Sequence, residues 1–121
     1  METFKYKGNK DCYFEVNSYY ANKKAMAIQI FRKGELLSTC TVYDELGMYS
    51  EGITTIKNYS ENSNMTNFLK NLGVVEDILM RYPCNSYVGY TIDDKNPQTK
   101  DICLINMENL RKYSKEWNYN V

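Results

Sequence analysis

The 121-residue chain carries fifteen basic and fifteen acidic residues, and its 43% hydrophobic content is enough for one domain, residues 1–121, with a modest core. The balanced charge gives no whole-molecule field to draw it to nucleic acid or to imitate a polyanion, so any electrostatic partner must be met by a local patch. There is no histidine, which excludes Ser-His and Cys-His nucleophile pairs and removes the commonest general base and zinc ligand.

In chain order, the amino terminus M-E-T-F-K-Y-K-G-N-K has charges throughout and lacks the apolar core of a signal peptide. No later segment approaches the roughly 20 apolar residues of a membrane span, so a soluble, cytoplasmic protein is expected. Thr3 to Tyr6 alternates weakly, Lys7-Gly8-Asn9-Lys10 marks a turn, and Asp11 to Tyr19 alternates with Cys12, Phe14 and Val16 on one face. Tyr20 to Lys24 is a polar connection. Ala25 to Tyr43 then reads as two strands folded about Lys33-Gly34, with Met26, Ile28 and Ile30 opposite Ala27, Gln29 and Phe31 on the first limb. Together these segments predict a four-stranded antiparallel meander.

Asp44 to Gly52 lacks a period and predicts a loop, Ile53 to Ile56 a short fifth strand, and the polar run Asn58 to Asn64 a surface connection. Met65, Phe68, Leu69 and Leu72 follow helical spacing, with Asn62, Ser63 or Asn64 able to cap the start and Gly73 placed to end it. Val74 to Tyr82 fits either a helical face or a strand. The strand is preferred because Gly73 has just closed a helix and Pro83 disfavours α conformation before it. Ser86 to Ile92, the turn D-D-K-N-P-Q-T-K and Asp101 to Ile105 predict a second hairpin, and Asn106 can cap a last helix with Met107, Leu110 and Tyr113 on one side. The tail K-E-W-N-Y-N-V shows no usable period. The expected class is α+β: an antiparallel sheet of the N-terminal four- to five-stranded meander plus a C-terminal hairpin, covered by the Met65 to Leu72 helix, with a second short helix near the C-terminus.

Cys12, Cys40, Cys84 and Cys103 are irregularly spaced without a C-x-x-C pair, so small buried thiols are the ordinary reading, with Cys84 in a loop the one suspected of exposure. The six glycines form neither a phosphate-cradling loop nor a dinucleotide fingerprint, and no serine stands in a nucleophile elbow. No catalytic residue, metal or cofactor is expected. The acids cluster in two places, Asp44, Glu45 and Glu51 around the glycine-containing loop and Asp93, Asp94 and Asp101 around the second hairpin turn. Asp93-Asp94 lacks the spacing and glycine of a calcium loop, so solvated turn acids or a surface that pairs with arginines of a partner protein are the readings left. Tyr6 with Lys5 and Lys7, Tyr19-Tyr20 with Lys23-Lys24, and Tyr113 with Arg111-Lys112 offer an alternative, a nucleic-acid-binding accessory protein with stacking aromatics beside lysines. A structural module dimerising through an exposed sheet edge is a third class.

The segments F-K-Y-K-G, A-I-Q-I-F with G-E-L-L-S-T-C-T-V, and N-F-L-K-N-L-G-V, in that order and spacing, resemble a family of small proteins of unassigned function carried by plasmids, phages and integrated elements of Firmicutes. The resemblance runs from Phe4 to Val74 and rests mostly on sheet and core residues. Within that setting the chain also looks like members recognised as anti-CRISPR proteins that inhibit type II CRISPR nucleases. The resemblance therefore implies a non-enzymatic inhibitor that binds such a nuclease or its guide-RNA complex. It brings no motif for the contact, and the loop acids Asp44, Glu45, Glu51, Asp93, Asp94 and Asp101 are the candidate contacts by their charge alone. After Gly73 the chain departs from the family, with V-V-E-D-I-L-M-R-Y-P-C-N-S-Y where relatives tend to be glycine-rich, and there partner specificity can differ.

Overall fold

The computed structural model describes residues 1–44, 47–84, 95 and 97–120. Its first strands, β1 (Phe4–Tyr6), β2 (Asn9–Tyr19), β3 (Asn22–Arg32) and β4 (Glu35–Thr39), form the expected antiparallel meander in that spatial order. Two Lys-Gly turns set its hairpins. Lys7 and Gly8 have φ of 46° and 81°, Lys33 and Gly34 φ of 51° and 77°, and two consecutive positive φ values make a turn whose twist matches that of the strands it joins. The β2–β3 connection is tighter than the polar run Tyr20 to Lys24 suggests. Tyr19 pairs with Asn22, because backbone bonding between two long strands continues through polar residues.

Register then follows the apolar pattern. Phe14 faces Ile30 and Val16 faces Ile28, and these four, with Cys12 and Met26, are wholly buried. Each large apolar side chain so buried contributes about 1.5–3 kcal/mol. A bulge shifts β4, since Ile30 pairs with Ser38 but Phe31 pairs with Leu36. Leu37 consequently packs against the core, whereas Leu36 stays 50% exposed.

Beyond the meander the architecture differs from a single sheet. β5 (Ile53–Asn58), β6 (Val75–Pro83) and β7 (Thr99–Ile105) form a second antiparallel sheet in the order β5-β7-β6. Val74 to Tyr82 is thus largely strand, as preferred. The predicted hairpin needs correction: β7 pairs with β6 on one side and β5 on the other, while its expected first limb, Ser86 to Ile92, lies outside the described residues. The fifth strand belongs to this second sheet, which the first approaches along residues 40–42. There the Val42 amide donates to the Thr55 carbonyl at 3.1 Å and the Lys57 amide to the Cys40 carbonyl at 2.8 Å.

The helix α1 (Met65–Asn71) covers the second sheet, against β5 and β6, rather than the meander. Its link to the meander is Phe68, whose ring lies 5.8 Å from Phe4 and 5.2 Å from Tyr6. Asn64 occupies the capping position at φ 68° without a side-chain cap bond. Asn58 Oδ1 supplies the acceptor instead, taking the Thr66 amide at 3.0 Å. A second helix, α2 (Met107–Lys112), starts at Asn106 as expected, with Asn106 Oδ1 accepting the Asn109 amide at 2.9 Å.

The tail supplies the largest departure. Ser114–Asn118 is a strand, β8, parallel to β2 through Phe14↔Ser114, Val16↔Trp117 and Asn17↔Asn118. It occupies the β2 edge beyond the stretch that β1 covers. Cys12, Cys40 and Cys103 are buried free thiols and Cys84 is half-buried. Among the described residues no helix is long and apolar enough to cross a membrane.

Candidate functional site

Where α2 turns into β8 the chain forms a cleft of about 530 Å³ lined by Glu51, Met107, Glu108, Arg111, Trp117, Tyr119 and Asn120. Short contacts fix its walls. The Asn106 amide donates to the Val74 carbonyl at 2.8 Å and Asn109 Nδ2 to the Gly73 carbonyl at 3.0 Å, which seats α2 on the turn after α1. On the opposite wall the Ile105 amide donates to the Gly52 carbonyl at 2.7 Å, which places Glu51 beside the start of α2.

Aromatic side chains form the floor. Pairing with β2 sets Trp117 opposite the buried Val16, where it is half-buried against the core, and Tyr119, just past the end of β8, is only 4% exposed. Trp117 Nε1 donates to the Tyr119 carbonyl at 2.9 Å and Tyr119 Oη to the Lys24 carbonyl at 2.7 Å, so both rings are held in place. The Arg111 guanidinium sits 4.8 Å from the Trp117 ring centroid, a cation–π contact that leaves its donors available. Burial, and then the Glu51 charge, push the Tyr119 phenol above its ordinary value.

Glu51 and Glu108 are exposed at the rim. Among the described residues neither has an ion pair or a side-chain hydrogen bond. With Arg111 they leave the cleft one negative charge in excess.

Asp44 and Asp101, the other predicted acids among the described residues, are held elsewhere. Asp101 is wholly buried, its Oδ1 accepting Arg81 Nε at 2.7 Å and its Oδ2 accepting Arg81 Nη2 at 2.8 Å and Thr66 Oγ1 at 2.6 Å. That carboxylate is internal structure, with no surface to offer. Asp44 is half-buried and paired with Lys100, whose ammonium it holds above the usual range. Tyr49 Oη closes the same corner, accepting the Asp44 amide at 2.7 Å and donating to the Val42 carbonyl at 3.2 Å. Glu45, Asp93 and Asp94 lie outside the described residues. Of the three predicted acids among the described residues, Glu51 lines the cleft and Asp44 and Asp101 do not.

The lysine and tyrosine pairs are likewise dispersed. Lys5, Lys7, Lys23 and Lys24 are all exposed, but Lys7 lies at the β1–β2 turn and Lys23-Lys24 at the far end of β3. The bond from Arg32 Nε to the Lys10 carbonyl marks the near end, so about eight strand residues, roughly 27 Å, separate the two groups. Tyr6 is in the core, Tyr19 packs on Tyr43 with ring centroids 5.4 Å apart, and Tyr113 meets Phe4 edge-on at 5.7 Å. Only Tyr20 of these stands fully exposed.

Sequence reasoning missed Trp117, Tyr119, Met107 and Glu108 as site residues. The available signal was the alternation of Trp117 and Tyr119 in the tail, too short to establish a period. Among the described residues no group of three or more His, Cys, Asp or Glu side chains is placed to hold a metal ion. Comparison of the chain with family models, curated proteins and solved structures finds no match.

Proposed function

We propose that the chain is a non-catalytic binding domain that engages a protein partner through the α2–β8 cleft. The observation that carries this reading is the pairing of a fixed Trp117–Tyr119–Arg111 floor with two rim carboxylates that have no ion pair among the described residues. Trp, Tyr, Arg and Met are the residues enriched where protein interfaces concentrate their binding energy, and rings held in place by hydrogen bonds lose little freedom on association. The resemblance of residues 4–74 to mobile-element proteins supplies the partner, a type II CRISPR nuclease inhibited in the cytoplasm by occupation of a basic surface.

The test is co-purification of the chain with such a nuclease, with and without guide RNA, coupled to a DNA-cleavage assay. Charge reversal of both rim acids, Glu51→Lys with Glu108→Lys, is expected to abolish capture and restore cleavage. A chain that neither binds the nuclease nor slows it overturns the assignment of partner. Reversal of Glu45, Asp93 and Asp94 in a separate variant tests the acidic-loop surface.

The nucleic-acid reading retains one favourable observation, the full exposure of Tyr20 close in sequence to Lys23-Lys24. Binding to single strands that weakens steeply with salt and is lost in Tyr20→Ala supports it.

A further inference from the structure

We infer that the α2–β8 cleft is an arginine-receiving site: a guanidinium group on a partner protein's surface segment enters the cleft and pairs with Glu51 and Glu108 beside the Arg111-covered Trp117 ring. This rests on the proposal that the domain binds a protein, and adds the chemistry of what is bound.

Charge complementarity argues for the occupant. Both carboxylates line one cleft without a cationic partner among the described residues; several other surface acids, Glu15 and Glu35 among them, also lack an ion pair, but they do not line this cleft. Two acids left over around a single Arg111 give the cleft a net negative charge, and a cation neutralises it. A docked anion would meet Glu51 and Glu108 and gain only Arg111.

Geometry favours arginine over lysine. A guanidinium is planar and weakly hydrated and offers a fork of donors to carboxylates, whereas an ammonium is a compact, more strongly hydrated charge. The cleft already accommodates one guanidinium, Arg111 on Trp117 at 4.8 Å. A cleft of about 530 Å³ also takes more than one side chain, in line with the roughly 300–1,000 Å³ of small-ligand sites. It can therefore admit an arginine with part of the segment carrying it.

Trp117 is the only tryptophan in the chain, so its fluorescence reports directly on the floor. The experiment titrates the whole protein at low salt with capped tri-arginine, and in parallel with capped tri-lysine, tri-glutamate and an oligothymidylate. Expected are a saturable Trp117 response to tri-arginine, a weaker one to tri-lysine and none to the two anions. The double variant Glu51→Gln, Glu108→Gln, checked for native far-UV circular dichroism, is expected to weaken tri-arginine by about tenfold or more. Either variant alone, being an exposed isosteric change, serves if the double variant fails to fold.

No saturable response to tri-arginine, an equal response in the Gln variants, or a preferred response to tri-glutamate or oligothymidylate overturns the inference. The two proposals fail separately. Tri-arginine binding without nuclease inhibition leaves the arginine site and removes the nuclease, while nuclease inhibition without a tri-arginine response leaves the nuclease and removes the arginine site.

Discussion

Asp101 illustrates, at the scale of one residue, how a side chain expected at a surface turn becomes part of the core. It sits on β7, between β6 and β5, and Arg81 reaches it from β6 with two parallel bonds while Thr66 reaches it from α1. A carboxylate taken out of water is tolerable only when such partners meet its lone pairs. Arg81→Ala leaves the wholly buried charge with a single hydroxyl, and the expected loss is about 3–5 kcal/mol of unfolding free energy, measured by urea titration. A loss within experimental error would mean that water replaces the guanidinium. The sequence could not distinguish Asp101 from Glu51, because both are acids next to turns and only burial separates their roles.

Helix termini and turns depend on what lies next to them in space. Gly73 and Gly34 both have positive φ, 81° and 77°, but their surroundings differ. A Cβ on Gly34 meets nothing within 4 Å, whereas on Gly73 it falls 2.5 Å from Asn109 Nδ2, the group that anchors α2 to the Gly73 carbonyl. Gly34→Ala should therefore cost only the left-handed backbone penalty, about 1–2 kcal/mol. Gly73→Ala should cost that penalty plus about 1 kcal/mol or more for the displaced bond, seen as a lower urea midpoint. Equal midpoints would show that Asn109 moves aside freely. The role of Gly73 as a helix terminator was legible from its position after Leu72, but its closeness to α2 was not. Likewise Asn58, not one of the three residues beside the helix start, accepts the Thr66 amide, a partner that local spacing cannot reveal.

Over the whole molecule, the two sheets share one buried cluster, with Phe14, Val16, Ile28 and Ile30 from the first and Ile56, Val75, Cys103 and Ile105 from the second. Burial in and around it pushes the Cys12, Cys40 and Cys103 thiols and the Tyr19, Tyr82 and Tyr119 phenols upward, Cys103 from 9.0 to about 12 and Tyr82 from 10.0 to about 12 with Asp44 adding to the effect. Folded values above unfolded ones mean that the folded chain keeps these protons while the unfolded chain releases them. The stabilisation is complete below pH 9 and falls as the pH rises toward 12. The slope is about 1.4 kcal/mol per pH unit for each group still protonated in the fold and ionised in the unfolded chain. Urea midpoints followed from pH 8 upward should decline from about pH 9, and less steeply in Cys40→Ala. A flat profile would show that water reaches these groups.

By itself the sequence determined the α+β class, the meander with its two Lys-Gly turns, the inward face of β2 and β3, the positions of both helices, and the presence of Glu51 in an acidic loop. Those features are local, since period-two alternation, positive-φ turn residues and i, i+3, i+4 spacing act over a few neighbouring residues. Only the tertiary structure decided that β5 leaves the meander, that α1 covers the second sheet, that Asp44 and Asp101 are held in ion pairs, and that the carboxyl-terminal tail is a strand. The tail lacks a period of its own because the edge of β2 supplies its hydrogen-bonding pattern, roughly a hundred residues earlier in the chain. That pairing sets Trp117 and Tyr119 beside α2 and turns Glu51 from a loop acid into one wall of a cleft.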